Sequence, residues 1–141
     1  MIMGIQKKPS TKICSVCDIV FCIDCSFSMI PVIESIKDTI FGFMKGIDTD
    51  VEVRIDWRAR VVGFRDFRSF IAYDKPFVSS LEGLKSQLDE IKAKGCVENG
   101  PASVFETISY VVGNSDWRGQ CHKIVVLLTD TIANPINELD L

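Results

Sequence analysis

The sequence predicts an α/β domain built on a mostly parallel sheet with helices on both faces. Two short runs, residues 18–24 and 123–129, are dominated by apolar residues, which is typical of central strands covered on both faces. Between them, three segments carry apolar residues at helical spacing. Strands that alternate with helices along a chain favour parallel pairing through helical crossovers.

The first half of the chain predicts a strand, a helix and an extended segment. Residues 18–24 form the strand, and residues 31–46 form an amphipathic helix in which Pro31 suits the first turn. Residues 51–67 are extended, either as one long strand or as a hairpin. Residues 69–74 are predicted to be a connection.

The second half predicts two helices and the last strand. Phe77 and Val78 form a short strand before a helix over residues 80–94, whose opposite face is charged. After a loop, Pro101 begins a third helix. Residues 123–129 form the strand that leads to Asp130.

Composition and charge argue against several kinds of partner. The chain has 141 residues, which fits one domain, and a net charge of −3, which gives no basic footprint for nucleic acid. No apolar run approaches the roughly 20 residues of a membrane span, and residues 1–12 lack the apolar core of a signal peptide. We therefore expect a cytoplasmic protein without a nucleic-acid or membrane partner. Residues 1–17 are predicted to be loose, and residues 18–141 are predicted to form the domain.

The first four of the six cysteines form two C-x-x-C pairs, Cys14 with Cys17 and Cys22 with Cys25, a spacing found in zinc sites. The link between the pairs is short and predicted to be extended. At about 3.3 Å per residue, such a link cannot fold both pairs around one tetrahedral ion. The sequence favours reduced, partly buried thiols instead.

Both strongly apolar runs lead into aspartate. Asp24 closes the first run and is followed at alternate positions by Ser26 and Ser28, and Asp130 follows the last run. If the two strands are neighbours, these side chains meet at the edge where open α/β sheets bind ligands, and their oxygens suit a hard cation such as Mg²⁺. The alternative is that the serines cap the next helix and Asp24 makes a turn.

The stretch D-C-S-F-S at residues 24–28 resembles the D-x-S-x-S motif of von Willebrand factor type A domains. Three further stretches resemble this family: L-L-T-D at residues 127–130, G-F-R-D-F at residues 63–67 and the loop with Gly and Pro at residues 93–104. The loop is similar to bacterial members, and G-F-R-D-F is similar to a subgroup that includes the type A domains of some atypical protein kinases. The similarity covers about residues 18–130. It implies a Rossmann-like fold and a metal-ion-dependent adhesion site for a protein partner.

The resemblance also implies how that site is built. Ser26 and Ser28 would bind Mg²⁺ through their hydroxyls, and Asp24 and Asp130 would bind it directly or through water, with Mn²⁺ or Ca²⁺ as alternative ions. An acidic residue of the protein partner would complete the coordination sphere.

The middle loop of the family supplies a further ligand, whose position in this chain stays open. Counting back from Pro101 favours Asn99, whereas counting on from Gly95 favours Glu98. Both side chains offer an oxygen. Glu98 would add a third negative charge, which strengthens a cation site and weakens the approach of an acidic partner.

The family fold continues after the last strand with further helix and strand units, whereas this chain ends at Leu141. We therefore expect a domain truncated at its C-terminus, in which residues 123–129 form an exposed apolar edge. Because such edges pair with other chains, self-association is predicted.

Three functions compete, and a protein-binding module that is not an enzyme is favoured. The second is a structural interaction domain with a silent metal site, and the third is a Mg²⁺-dependent hydrolase or phosphotransferase with Asp24 as nucleophile. Phosphatases with an aspartyl nucleophile usually place a second acid two residues on, where this chain has Ser26, and its lone His122 precedes a strand. Asp66 is interpreted as the salt-bridge partner of Arg65, Arg68 or another nearby base rather than as a residue at the ligand-binding edge of the sheet.

Overall fold

The part of the chain that the structure describes contains both strands and helices. The computed structural model describes residues 13–65, 71–93 and 104–130. In chain order, the elements are β1 Ile13–Asp24, a 3₁₀ turn Phe27–Met29, α1 Ile33–Asp48, β2 Arg54–Phe64, β3 Ile71–Asp74, α2 Leu81–Glu90, α3 Val104–Asn114 and β4 His122–Leu128. The predicted α/β class is confirmed, with three α-helices and a four-stranded, mostly parallel sheet within these ranges.

Strand β1 lies inside the sheet, whose order is β3-β2-β1-β4. It pairs in parallel with β2 along its length and with β4 from Cys17↔His122 to Ile23↔Leu128. Strand β3 pairs antiparallel with β2. Because parallel neighbours end at the same edge of a sheet, the residues that follow β1 and β4 come together there.

Side chains of β1 enter two apolar clusters. Ile19, Phe21 and Ile23 belong to the first, together with side chains of α1 and α2. Val20 and Cys22 belong to the second, together with side chains of α3. Successive side chains of a strand point to opposite faces, so both sets of positions are buried. Each large apolar side chain that is fully buried stabilises the fold by roughly 1.5–3 kcal/mol.

Helices α1 and α2 are joined by a buried lysine as well as by apolar packing. Lys37 lies on the buried side of α1, and its Nζ donates to the carbonyl oxygen of Ile91 at 2.8 Å, just past the end of α2. Helix α2 begins at Ser80, whose Oγ accepts the Gly83 N–H at 3.0 Å and so satisfies one free donor of the first turn. No helix within the described ranges combines the length and the apolar character needed to cross a membrane.

The first strand is longer than predicted. Strand β1 begins at Ile13 rather than at residue 18, so residues 13–17, which the sequence predicts to be loose, pair with β2 instead. The apolar pattern marks only the buried part of the strand. Backbone pairing continues beyond that part because it needs a neighbouring strand, not an apolar side chain.

The region after β2 also differs from the prediction. Strand β2 is a single strand, and its antiparallel neighbour β3 lies inside residues 69–74, which are predicted as a connection. The predicted strand at Phe77 and Val78 is only one isolated bridge, Ala59↔Val78. Strand β3 is four residues long and half-buried, so its sequence carries too short a pattern to be recognised.

Candidate functional site

The carboxyl ends of β1 and β4 bring four of the predicted site residues together. Asp24 is the last residue of β1, and Asp130 follows β4. The Ser28 hydroxyl donates to Asp130 Oδ1 at 3.0 Å, and the Ser26 and Ser28 hydroxyl oxygens lie 3.2 Å apart. We call this group, with Thr129, the hydroxyl–carboxylate cluster.

Asp24 is fully buried and accepts hydrogen bonds on both carboxylate oxygens. Its Oδ1 accepts the backbone N–H of Ser26 at 2.9 Å, and its Oδ2 accepts the Thr129 hydroxyl at 2.7 Å. The first bond is the local turn that an aspartate makes with the backbone two residues on. The second joins the end of β1 to the end of β4. Thr129 is not among the predicted site residues, although a hydroxyl directly before Asp130 was a visible signal.

The two serines do not act as helix caps. Ser26 precedes the 3₁₀ turn but its side chain makes no capping hydrogen bond, and the residue before α1 is Val32. The turn at Asp24 is present, whereas the capping role in the alternative interpretation of this stretch is absent at these two termini. The serine hydroxyls are instead directed to each other and to Asp130.

The number of protons on each hydroxyl indicates which serine donates in each contact of the cluster. A hydroxyl carries one proton and two acceptor lone pairs. Ser28 gives its proton to Asp130, so in the 3.2 Å contact between the serines Ser26 is the donor. Both oxygens keep at least one lone pair. Together with two carboxylates, this all-oxygen donor set fits a hard cation such as Mg²⁺.

Close packing beneath the motif fixes its position. The backbone N–H of Cys25 donates to the carbonyl oxygen of Phe64 at 2.7 Å, which ties the motif to the end of β2. A Cβ atom at Gly63 would lie 2.9 Å from Cys25 Sγ and 2.6 Å from Tyr73 Cδ2, so only glycine allows this approach. Met29, in the 3₁₀ turn, is fully buried and anchors the segment on its other side.

Three predicted residues, Glu98, Asn99 and Asp66, lie outside the described residues, and their roles stay predictions. His122 is the exposed first residue of β4. Within the ranges that the structure describes, no three His, Cys, Asp or Glu side chains are grouped as a metal site. The candidate site therefore depends on serine hydroxyls as much as on carboxylates.

A second buried aspartate forms an ion-pair centre that the sequence analysis did not find. Asp18, in β1, binds Arg58 Nε and Nη2 at 2.9 and 2.7 Å, and it accepts the Nε and the backbone N–H of Arg118 at 2.9 and 2.7 Å. Burial raises the pKa of the Asp18 carboxyl, but the hydrogen bonds from the two arginines outweigh it and hold the pKa well below its ordinary value. Its partners are 40 and 100 residues away in sequence, so no local pattern reveals the centre.

Comparison with known proteins identifies no family for this chain. No family model matches the chain, and no curated protein matches it at a significant level. Functional inference therefore depends on the cluster itself.

Proposed function

We propose that this chain is a metal-ion-dependent protein-binding module of the von Willebrand factor A type. The observation that carries the proposal is the hydrogen bond from Ser28 to Asp130, which joins side chains 102 residues apart in sequence. It gathers the serines of the D-x-S-x-S stretch and the aspartate of the last strand into one all-oxygen group. A group of this composition at the carboxyl edge of parallel strands suits a bound cation.

The proposal includes a Rossmann-like arrangement with helices on both faces of the sheet. Two apolar clusters support it, since one contains side chains of α1 and α2 and the other contains side chains of α3.

In this proposal Asp24, Ser26, Ser28 and Asp130 hold Mg²⁺, with Mn²⁺ or Ca²⁺ as alternatives. Glu98 or Asn99 supplies the ligand of the middle loop. When bound, the ion supplies a Lewis-acidic position for a carboxylate of the partner protein. The Ser28 hydroxyl donates to Asp130 while keeping an oxygen lone pair for the ion, and the turn at Asp24 holds the carboxylate in place.

Charge balance explains why the partner would be acidic and why its binding would need the ion. Asp24 and Asp130 place two negative charges at the end of the sheet, and these repel an incoming carboxylate. A divalent cation cancels both charges. The proposed role of the site is therefore recognition of an acidic side chain rather than turnover of a substrate.

Thermal unfolding with Mg²⁺ and with EDTA tests the proposal. An ion that binds only the native state stabilises it by about 2.7 kcal/mol at a hundredfold excess over its dissociation constant. We expect Mg²⁺ to raise the midpoint of the wild type and to leave Ser28→Ala nearly unchanged. Ser86→Ala is the matched control, because Ser86 is an exposed serine of α2.

Two results would contradict the proposal. An equal Mg²⁺ shift in the wild type and in Ser28→Ala would place the ion elsewhere. No shift in the wild type at millimolar Mg²⁺ would favour the silent-site alternative.

Self-association is part of the proposal for partners. Within the described ranges, β4 pairs with β1 on one side, and its sequence is apolar with Ile124 partly exposed. Such an edge pairs with a second chain. Light scattering over a wide concentration range checks this expectation, and a constant monomer mass would contradict it.

A further inference from the structure

The segment that carries the two serines also carries an unusual concentration of exposed apolar side chains. Phe27, Ile30 and Val32 are 63%, 48% and 41% exposed. All three lie within six residues of each other, around the 3₁₀ turn. Scattered exposed apolar residues are normal, but an apolar patch bordered by polar groups marks an interaction surface. We call these three residues the apolar rim.

The apolar rim adjoins the hydroxyl–carboxylate cluster by chain connectivity. Phe27 stands between Ser26 and Ser28, whose hydroxyl oxygens are 3.2 Å apart. Ile30 and Val32 lie one and three positions after Met29, which is fully buried and fixes the turn to the core. The backbone holds the rim as well, since the N–H groups of Ile30 and Val32 donate to the carbonyls of Phe27 and Met29 at 3.2 and 3.0 Å. The rim is therefore a preformed surface rather than a loose tail.

We infer that the partner presents one acidic side chain flanked by aliphatic residues, the acid reaching the ion and the aliphatic side chains covering Phe27 and Ile30. This inference rests on the proposed function. Charge complementarity selects the acid, because a bound divalent ion would balance Asp24 and Asp130 and would attract one more oxygen ligand. The exposed aromatic ring selects the neighbours of the acid, because aromatic anchors contribute most to the energy of an interface.

The two parts of this surface strengthen each other. Aliphatic side chains that cover the rim exclude water from the edge of the cluster, and a contact between a carboxylate and a cation is stronger where water is excluded. An acid with polar neighbours makes the same coordination bond but leaves that bond solvated. The inference therefore predicts selectivity by the residues next to the acid.

Three synthetic peptides test the inference on the full chain. The first has a glutamate between leucines, the second has a glutamate between serines, and the third has a glutamine between leucines. Binding is measured by fluorescence anisotropy with Mg²⁺ and with EDTA. We expect the first peptide to bind about tenfold more tightly than the second, which is the factor expected when one aromatic anchor contributes about 1.4 kcal/mol. The third peptide, and all three in EDTA, should bind no better than background.

The variant Phe27→Ala separates the rim from the metal site. It should remove the preference for leucine over serine while leaving the Mg²⁺ shift in thermal unfolding unchanged. Phe43→Ala is the matched control, because Phe43 is a phenylalanine of α1 with a similar exposure of 58%. The control should bind all three peptides as the wild type does.

The outcomes distinguish this inference from the proposed function. Three outcomes would overturn the inference and leave the proposed function standing, each together with a Mg²⁺ shift in the wild type. The two glutamate peptides could bind equally, neither of them could bind, or Phe27→Ala and Phe43→Ala could lose equal affinity. Binding of the leucine peptides that persists in EDTA or with glutamine would show an apolar surface independent of the metal and would overturn it as well. No Mg²⁺ shift in the wild type would overturn both. Mg²⁺-dependent self-association that displaces the first peptide would identify a second copy as the occupant and would also overturn the inference.

Discussion

Strand β1 carries two buried aspartates whose surroundings differ. Asp18 and Asp24 lie six positions apart on the same strand, and both are fully buried. Asp18 is held by the guanidinium groups of Arg58 and Arg118. Asp24 accepts a backbone N–H and a threonine hydroxyl, and it lies beside two serines and a second carboxylate.

The difference separates a structural charge from a candidate ligand. A buried carboxylate is costly unless its charge is compensated and its oxygens are hydrogen-bonded. Asp18 meets both conditions with groups of this chain, so it joins β1 to β2 and to the loop before β4. The two donors described at Asp24, the Ser26 N–H and the Thr129 hydroxyl, are dipoles, and they lie at the carboxyl edge of the sheet, where open α/β sheets bind ligands.

The largest expected effect is on Asp18. We expect Asp18→Asn to lower the free energy of unfolding by about 3 kcal/mol, because removing one member of a buried ion pair leaves its partners uncompensated. Urea denaturation measures the change. Asp89→Asn is the control, since Asp89 forms an exposed pair with Lys85 on α2, and such pairs contribute about 0.5 kcal/mol or less. Equal effects of the two substitutions would show that the Asp18 centre is no stronger than a surface pair.

The same centre predicts how stability depends on pH. The pKa of Asp18 is lower in the folded chain than in the unfolded one, so its stabilisation is present above the unfolded value, about 3.9, and is lost as the pH falls through the folded value. Urea denaturation of the wild type and of Asp18→Asn at a series of acidic pH values checks this. The difference between the two should shrink below about pH 4, where the unfolded carboxyl is protonated. A constant difference down to pH 2 would contradict the assignment.

Substitution of Asp24, unlike substitution of Asp18, should remove the stabilisation by Mg²⁺. We expect Asp24→Asn to lose the Mg²⁺ stabilisation, about 2.7 kcal/mol at a hundredfold excess over the dissociation constant, because the neutral amide is a weaker ligand for a hard cation. Asp18→Asn should keep the full shift at its lower stability. Thermal unfolding of both variants with Mg²⁺ and with EDTA measures this difference. A Mg²⁺ shift that persists in Asp24→Asn would show that Asp24 is not a ligand of the site.

The same two aspartates show what a sequence can predict here. Asp24, Ser26 and Ser28 are close in sequence, and Asp130 joins them because parallel strands end together, so spacing and strand order predict that these four residues lie together. Asp18 depends on Arg118, 100 residues away, and only the folded chain brings them together. Strand β3 was missed for a similar reason, since its four residues are specified by pairing with β2 rather than by their own pattern.

The smallest expected effect concerns Thr129, which joins the end of β4 to Asp24. We expect Thr129→Val to lower the free energy of unfolding in EDTA by about 1 kcal/mol, because valine keeps the shape but removes the 2.7 Å hydrogen bond to Asp24 Oδ2. The Mg²⁺ shift should become smaller without disappearing, since the carboxylate stays in place through the Ser26 N–H. Thr39→Val is the control, because the Thr39 hydroxyl donates to the carbonyl of Ser35 on the exposed side of α1, and neither residue belongs to the cluster. If both variants respond to Mg²⁺ as the wild type does, the Thr129 hydroxyl only connects the two strand ends, and the orientation of Asp24 does not depend on it.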